Sequence, residues 1–278
     1  MYVILLTACI NPDGMLLTQL TDPEIRKSQY VEALRFYLGQ TDYPIVFVEN
    51  SGNDISHLFQ SEITSGKLEM ITFEGNMNKT KGKGFGECEI IEHALDHSQV
   101  IKNCLAECNE NHTKLMVMKI TGRLIIKNFR ALIKGRFPFQ HHEDLVCELN
   151  TGKSFAASQV FISSCEVLRD IVDNKECLDD NKGVWFEHLL ARVAFQRKCR
   201  YFPFSVKPDI QGIAGSAGKP YTVNRTLKSK LEYQNAMYYE VSRYYQDVAP
   251  AQCTPLQRVV YKVTSYFYQL IYKSFINK

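Results

Sequence analysis

The sequence predicts an α/β fold in which a mostly parallel, GT-A-like Rossmann-type sheet is flanked by helices and followed by a helical C-terminal tail. Three observations support this fold class: the chain opens with an apolar strand, strand-like and helix-like segments then alternate, and the last segment is basic, aromatic and helical in periodicity. With 278 residues, 45% of them hydrophobic, the chain can bury a large core. Disorder as its main state is therefore excluded.

The first half of the chain has the pattern of a βαβ unit followed by further strands. Apolar and β-branched runs predict strands at residues 2–10, 44–48, 68–73 and 115–120. Helical spacing of apolar residues predicts a helix over 22–38, and a second helix runs to about residue 96 after a loop rich in lysine and glycine at 79–86. Because parallel strands end at one edge, and ligands of open α/β sheets bind there, that edge is the expected site.

The second half of the chain is less regular. Its pattern predicts a strand at 156–162, a helix at 183–196 and a glycine-containing flexible segment at 212–218. From Arg225 onward the sequence is helical and rich in tyrosine, and no acidic residue follows Asp247. We therefore predict a catalytic domain over residues 1–222 and an appended basic, aromatic tail over 223–278.

Composition and charge exclude several classes of protein. The net charge of +3 is too weak to predict nucleic-acid binding. The nine cysteines form no CxxC pair and are odd in number, which indicates a reducing cytosol rather than a disulfide framework. The apolar start lacks a basic flank and stops at Asn11 and Pro12, so a buried strand is expected there instead of a signal peptide or membrane span.

Two basic segments predict an anion site at the expected edge. The loop KGKGFGE at 81–87 opens a helix, where backbone N–H groups and lysines suit a diphosphate. A surface turn with a glutamate at the helix start explains the same residues. The segment KITGR at 119–123 puts two cations at the end of a buried strand, where they need either an anionic ligand or neighbouring carboxylates.

Two further segments carry candidate site residues. On the helix at 183–196, Glu187 could take a proton from a sugar hydroxyl with His188 orienting it, although such a glutamate is also consistent with a solvated helix face. The run at 212–219 with Gly215, Ser216 and Lys219 could approach a ligand closely or form an ordinary connection.

The consecutive residues 141–144 (HHED) cannot easily converge on one metal ion and are interpreted as a loop.

The tail has the pattern of an interfacial helix. Apolar residues of 256–271 share one helical face, basic residues lie opposite, and tyrosines flank them. The segment 255–278 is therefore expected either to contact an anionic membrane surface or to dock on the catalytic domain, and it is too charged to span a bilayer.

An ordered set of motifs resembles one family. The N-terminal strand with Asn11-Pro12, PIVFVENSG at 44–52, KGKGFGE at 81–87, KITGR at 119–123, WFEH at 185–188 and GIAGS at 212–216 together resemble bacterial glycosyltransferases of capsule and lipopolysaccharide clusters. The resemblance covers residues 1–222 and implies a GT-A-like domain, with a nucleotide-binding half followed by an acceptor-binding half. Most such enzymes carry an Asp-x-Asp metal motif where this chain has KITGR, so transfer without a divalent metal or other cofactor is expected, with cations stabilising the leaving group.

The resemblance also assigns roles. A nucleotide-sugar donor would meet Thr7 and the Glu49-Asn50 turn through its nucleoside, and basic residues through its diphosphate. The predicted donor site comprises Thr7, Glu49, Asn50, Lys81, Lys83, Gly84, Glu87, Lys119, Thr121, Gly122, Arg123, Gly215, Ser216 and Lys219. Glu187, with His188, would deprotonate a saccharide or lipid-linked acceptor in a single inverting displacement. The expected location is the cytoplasm, including the inner face of the plasma membrane.

Two alternatives remain open from the sequence. A nucleotidyltransferase would use the same sheet edge but normally needs carboxylates for Mg²⁺. A non-catalytic, membrane-associated scaffold would use the tail and leave the sheet edge empty.

Overall fold

The computed structural model describes residues 1–215, 217–222 and 225–276. The strands are β1 (Tyr2–Ala8), β2 (Ile45–Glu49), β3 (Leu68–Thr72), β4 (Met116–Thr121), β5 (Ile125–Ile126), β6 (Leu145–Val146), β7 (Leu149–Asn150), β8 (Phe155–Ala156), β9 (Val160–Ser164), β10 (Tyr201–Phe202) and β11 (Ile210–Gln211). The α-helices are α1 (Pro23–Gln40), α2 (Gln60–Thr64), α3 (Lys83–His97), α4 (Gln99–Glu110), α5 (Phe129–Lys134), α6 (Cys165–Asp173), α7 (Phe186–Arg197), α8 (Leu227–Asp247) and α9 (Pro255–Ile276).

The central sheet has the strand order β3-β2-β1-β4-β9-β6-β10. Neighbouring strands pair in parallel from β3 to β4, whereas β9 runs antiparallel to both of its neighbours. Strands β6 and β10 pair in parallel with each other, so β9 alone is reversed within this sheet. This arrangement confirms the predicted fold class, a mostly parallel sheet flanked by helices with a helical C-terminal tail.

The carboxyl edge of the sheet assembles as the βαβ pattern predicts. Thr7 of β1 lies opposite Val48 of β2 and Thr121 of β4, and Ala8 lies opposite Glu49. Three strand ends from distant parts of the sequence therefore meet at one edge.

Helices cover both faces of the sheet because its strands are apolar on both sides. Val3 and Leu5 belong to the core under α3, α6 and α7, whereas Ile4 and Leu6 belong to the core under α1 and α5. Because successive side chains of β1 point to opposite faces of the sheet, its single apolar run contributes residues to the hydrophobic cores on both faces.

Two predicted elements differ from the structure at their ends. The strand expected at 156–162 is divided into β8 and β9, and the reversed β9 closes the parallel half of the sheet. The helix expected at 183–196 begins only at Phe186. Gly183 has a positive φ of 71°, and residues 179 and 184 form an antiparallel bridge, so the chain turns before it can enter the helix.

The tail forms two helices that pack on the preceding α/β part of the chain. A 3₁₀ turn at Pro250–Gln252 separates α8 from α9. Buried tyrosines of both helices, among them Tyr244, Tyr245 and Tyr261, belong to the same hydrophobic core as α3, α6 and α7. Within the described residues, no helix combines the length and apolarity needed to cross a membrane.

Candidate functional site

A cleft of about 550 Å³ opens at the carboxyl edge of β1, β2 and β4. Several predicted site residues line it: Thr7, Asn50, Lys83, Gly84, Glu87, Thr121, Arg123, Glu187 and Gly215. Residues from the loop after β1 and from the segment after β11 complete the lining, and Gln19 N donates to Gly215 O across these two segments at 2.9 Å. The fold thus brings most of the predicted residues to one concave site.

The glycines of the KGKGFGE motif allow close packing at the start of α3. A Cβ at Gly82, whose φ is +95°, would lie 2.2 Å from Asp180 Oδ2. A Cβ at Gly84 would lie 3.0 Å from the backbone N of Phe186. The glycine pattern therefore lets α3 approach the Asp180 turn and the start of α7.

The start of α3 already has an anionic partner from the chain itself. Asp180 is 7% exposed and its Oδ2 accepts a hydrogen bond from Lys83 N at 2.9 Å. Burial raises the pKa of the Asp180 carboxyl, and hydrogen bonding to the α3 backbone acts against this. The prediction that the backbone N–H groups at the start of α3 bind a diphosphate needs correction, because the Asp180 carboxylate, from a distant part of the chain, already accepts a hydrogen bond there.

Lys119 is enclosed and pairs with a carboxylate. Its side chain is 0% exposed and its ammonium forms an ion pair with Glu87. It also donates to Ser158 O at 2.7 Å and to Thr121 Oγ1 at 3.3 Å, so all three ammonium donors have partners. The prediction that Lys119 contacts phosphate directly is therefore wrong. Lys119 holds Glu87 in place instead, and Glu87 also accepts a hydrogen bond from Thr7 Oγ1 at 3.0 Å.

Arg123 reaches the cleft with most of its donors unused. The residue is 8% exposed, and Nη1 donates to Ile213 O. Among the described residues it forms no ion pair and no other hydrogen bond. Burial lowers the pKa of the Arg123 guanidinium, and the charge of Arg26 contributes in the same direction. A nearly buried cation without a carboxylate is the arrangement that an anionic ligand would complete.

Arg26 is a second cleft cation, and the sequence analysis did not select it. It is 7% exposed and donates four hydrogen bonds: Nε and Nη2 to Cys9 O at 2.8 and 2.6 Å, Nη1 to Leu20 O at 3.0 Å, and Nη2 also to the Tyr30 hydroxyl at 3.3 Å. Within the described residues it pairs with no carboxylate. Its position in the first turns of α1 gave no signal, because a single arginine in a helix is usually solvated.

Glu49 and Asn50, at the end of β2, have different roles: Glu49 is structural and Asn50 faces the cleft. Glu49 is 0% exposed and accepts from the backbone N–H groups of Ile10 at 2.8 Å and of Ser51 and Asn53 at 2.9 Å. The prediction that Glu49 contacts a nucleoside is therefore wrong, because its carboxylate is used to connect the segments that follow β1 and β2. Asn50 lines the cleft, and its buried Oδ1 has no partner among the described residues.

Two more cleft residues were missed by sequence reasoning. Asn76 is 4% exposed, adopts a positive φ of 64° and has an unpartnered Oδ1 among the described residues. Cys9 lies nearby, with Asn76 Nδ2 at 3.8 Å from its Sγ. Burial raises the pKa of the Cys9 thiol to about 11, so it is a neutral thiol near neutral pH rather than a nucleophilic thiolate.

Glu187 faces the cleft from the first turn of α7. Its Oε1 accepts a hydrogen bond from Ser158 Oγ at 2.6 Å, which fixes the carboxylate, and Oε2 has no partner among the described residues. His188 does not orient Glu187 as expected. Instead its Nδ1 pairs with Trp185 N at 3.3 Å and its ring stacks on the indole at a centroid distance of 5.2 Å.

Three predicted residues lie outside the cleft lining, and the position of a fourth is not described. Lys81 forms an ion pair with Glu176 at the surface, and Lys219 is exposed outside the cleft lining. Gly122 lies against β1, where a Cβ would come 2.8 Å from Thr7 O, so this glycine serves packing. Ser216 lies outside the described residues.

Within the described residues, no cluster of three or more histidine, cysteine, aspartate or glutamate side chains is placed to hold a metal ion. In the HHED segment, Asp144 forms an ion pair with Lys114, and its Oδ2 accepts from Arg200 N at 2.8 Å.

The chain is distantly similar to several solved structures. No family model matches it, and no curated protein matches its sequence. Among solved structures, S. aureus TarS 1-349 is 13% identical with a TM-score of 0.44, over 87% of this chain and 65% of that one. A cytidylyltransferase from Leptospira borgpetersenii is 12% identical with a TM-score of 0.39, over 85% of each chain. The inositol-1-phosphate CTP transferase from T. maritima is 10% identical with a TM-score of 0.38, over 73% of this chain and 84% of that one. Likeness at this level assigns no activity to this chain.

Proposed function

We propose that this protein is a glycosyltransferase that moves a sugar from a nucleotide-sugar donor to a saccharide or lipid-linked acceptor. The choice of sugar transfer comes from the motif resemblance to enzymes of bacterial surface-polysaccharide synthesis. The support from the structure is chemical: a cleft at the carboxyl edge of the sheet holds cations, amide oxygens that have no partner within the described residues, and a fixed carboxylate.

One observation carries the proposal, namely two nearly buried guanidinium groups that line the cleft without a carboxylate partner among the described residues. Arg123 and Arg26 are 8% and 7% exposed. Burying two like charges near each other costs free energy unless an anion neutralises them. A diphosphate offers that charge and matches the free planar donors of Arg123, whereas Arg26, whose donors mostly bind Cys9 O, Leu20 O and Tyr30, contributes its charge.

The proposed reaction is a single displacement with inversion. Glu187 Oε2 accepts the proton of the acceptor hydroxyl while Ser158 holds Oε1. The acceptor oxygen bonds to the anomeric carbon as the bond from that carbon to the diphosphate oxygen breaks. Arg123 and Arg26 stabilise the charge that develops on the leaving nucleoside diphosphate, and no divalent ion is required for this step.

The first test measures binding of the leaving group. Trp185 is the only tryptophan in the sequence and lines the cleft, so its fluorescence reports on occupancy. UDP and GDP are titrated with and without a chelator, and CMP, which carries a single phosphate, is titrated for comparison. We expect UDP or GDP to bind, and R123M to weaken that binding about 10- to 100-fold, which corresponds to loss of charge-assisted hydrogen bonds worth about 1.5–3 kcal/mol.

The matched control for R123M is R192M, which removes an exposed arginine of α7 outside the cleft lining. R192M should bind like the wild type. Equal affinity of R123M and wild type for every nucleotide, or binding that disappears with the chelator, would remove the proposed diphosphate site.

The second test addresses the base. E187Q keeps the shape of the side chain but cannot accept a proton, so its turnover with the matching UDP-, GDP- or CMP-sugar should fall about 10²- to 10⁴-fold. Nucleotide affinity should be unchanged, since Glu187 is assigned no contact with the phosphates. Wild-type turnover by E187Q would show that the reaction needs no base at this position and would favour a retaining course.

Nucleotidyl transfer is the competing chemistry, and one observation favours it: the cleft lining includes the carboxylates of Asp180 and Glu187, which could bind Mg²⁺. The products separate the two reactions. A glycosyltransferase releases a nucleotide from a nucleotide sugar. A nucleotidyltransferase instead joins a nucleoside triphosphate to a sugar phosphate, and the triphosphate releases pyrophosphate.

A further inference from the structure

The C-terminal helix α9 presents two faces of different character. Its tyrosine face packs on the rest of the chain: Tyr261 is 1% exposed and donates to Pro138 O at 2.8 Å, and Tyr268 stacks on Tyr238 at a centroid distance of 5.5 Å. Tyr272 donates to Glu232 of α8. The helix is therefore held in place by one side alone.

The opposite side of α9 is an exposed apolar stripe. Its members are each more than half exposed and are Leu256, Val259, Val263, Tyr266, Phe267 and Leu270. Their spacing of three and four residues places them on one face over most of the helix. A continuous apolar stripe of this length on a surface marks an interaction site, whereas single exposed apolar residues do not.

The charge beside the stripe has one sign. Lys262 and Lys273 are exposed, project beside the stripe at helical spacing, and pair with no carboxylate among the described residues. The sequence after Asp247 contains Arg258, Lys262, Lys273 and Lys278 and no acidic residue. The stripe is thus bordered by cations that form no ion pair within the described residues.

We infer that this face of α9 docks on an anionic lipid surface. Apolar side chains with aromatic rings enter the boundary between headgroups and acyl chains, and lysines at the border contact lipid phosphates. A second copy of the chain fits less well, because pairing two stripes would bring lysines together with no acidic residue on α9 to oppose them. This inference goes beyond the proposed reaction and does not depend on it.

The test is co-sedimentation of the full chain with vesicles of phosphatidylcholine alone or mixed with phosphatidylglycerol. We expect binding to the mixed vesicles that weakens with salt, and little binding to phosphatidylcholine. The variant V263S/F267S/L270S should lose binding, since it removes apolar side chains without changing charge. K262Q/K273Q should weaken binding roughly 30-fold, which corresponds to about 1 kcal/mol for each lysine.

Matched controls change similar groups elsewhere. M77S alters another strongly exposed apolar residue and K102Q another exposed lysine, and both should bind vesicles like the wild type. All altered side chains are exposed, and circular dichroism checks that each variant is folded. Binding that survives V263S/F267S/L270S overturns the inference. The inference is also overturned if the wild type binds neither kind of vesicle and light scattering shows that it is a dimer, whereas V263S/F267S/L270S is a monomer.

Discussion

At the scale of single residues, Lys119 and Arg123 illustrate how burial decides the role of a charge. Lys119 lies in β4 and Arg123 in the turn that follows it, yet Lys119 has every donor satisfied within the protein and Arg123 has most of its donors unused within the described residues. A buried cation with a complete set of partners supports structure, and one without them is suited to bind a ligand.

This difference predicts the effect of removing Lys119. K119M leaves Glu87 without its counter-ion beside Thr7, so the free energy of unfolding should fall by about 3 kcal/mol. The double variant E87Q/K119M should be less destabilised than K119M, because no uncompensated charge remains. Urea unfolding measures both. K81M, which breaks the surface pair with Glu176, is the control and should cost less than about 1 kcal/mol. Equal costs for K119M and K81M would contradict the structural role of Lys119.

At the scale of elements, the start of α3 is positioned by contacts to a distant turn. Lys83 N donates to Asp180 across 97 positions of sequence, and the backbone of Gly82 adopts a positive φ where the Asp180 carboxylate touches it. The helix start, the Asp180 turn and the start of α7 therefore form one packed unit that holds Glu87 and Glu187 in the same cleft.

Glycine substitutions test this packing. G82A should lower the free energy of unfolding by about 1–3 kcal/mol, because its Cβ would clash with Asp180 and its φ of +95° is strained for alanine. G39A is the control: this glycine lies inside α1 with open space around it, so alanine should stabilise the protein by up to about 1 kcal/mol. Thermal or urea unfolding distinguishes the two signs. A stable G82A would mean that the Asp180 contact does not constrain the helix start.

At the scale of the whole molecule, the tail shares a hydrophobic core with the α/β part of the chain. Tyr244 of α8 donates to Ala194 O and Cys199 O, both at 2.9 Å, at the end of α7. Since α7 also carries Glu187, the same helix joins the cleft at its start and the tail at its end. We expect the chain to unfold as one cooperative unit.

A pair of tyrosine variants tests this connection. Y244F removes only a hydroxyl, whose single proton is shared between the two carbonyls; Ala194 O still accepts from Cys199 N at 3.1 Å, whereas Cys199 O loses its hydroxyl donor, so we expect a loss of about 1–3 kcal/mol in unfolding free energy. Y239F makes the same change on the exposed side of α8 and should stay within about 0.5 kcal/mol of the wild type. Unfolding followed by Trp185 fluorescence and by circular dichroism should give coincident transitions, and separate transitions would show an independently folding tail.

The sequence by itself determined the strands and helices of the parallel half and the edge at which they end. Apolar runs and helical spacing are properties of short windows, so β1, β2 and α1 could be found without knowing their neighbours. The same patterns placed Thr7, Thr121 and Arg123 at one edge.

Only the tertiary structure decided which charges face the cleft and which are already paired. Whether Lys119 meets a ligand or Glu87, and whether α3 begins against a phosphate or Asp180, depends on residues that are far away in the sequence. Arg26 and Asn76 gave no local signal, because an isolated arginine or asparagine is common on surfaces. The physical reason is that pairing and desolvation are set by distances in space, which local periodicity does not encode.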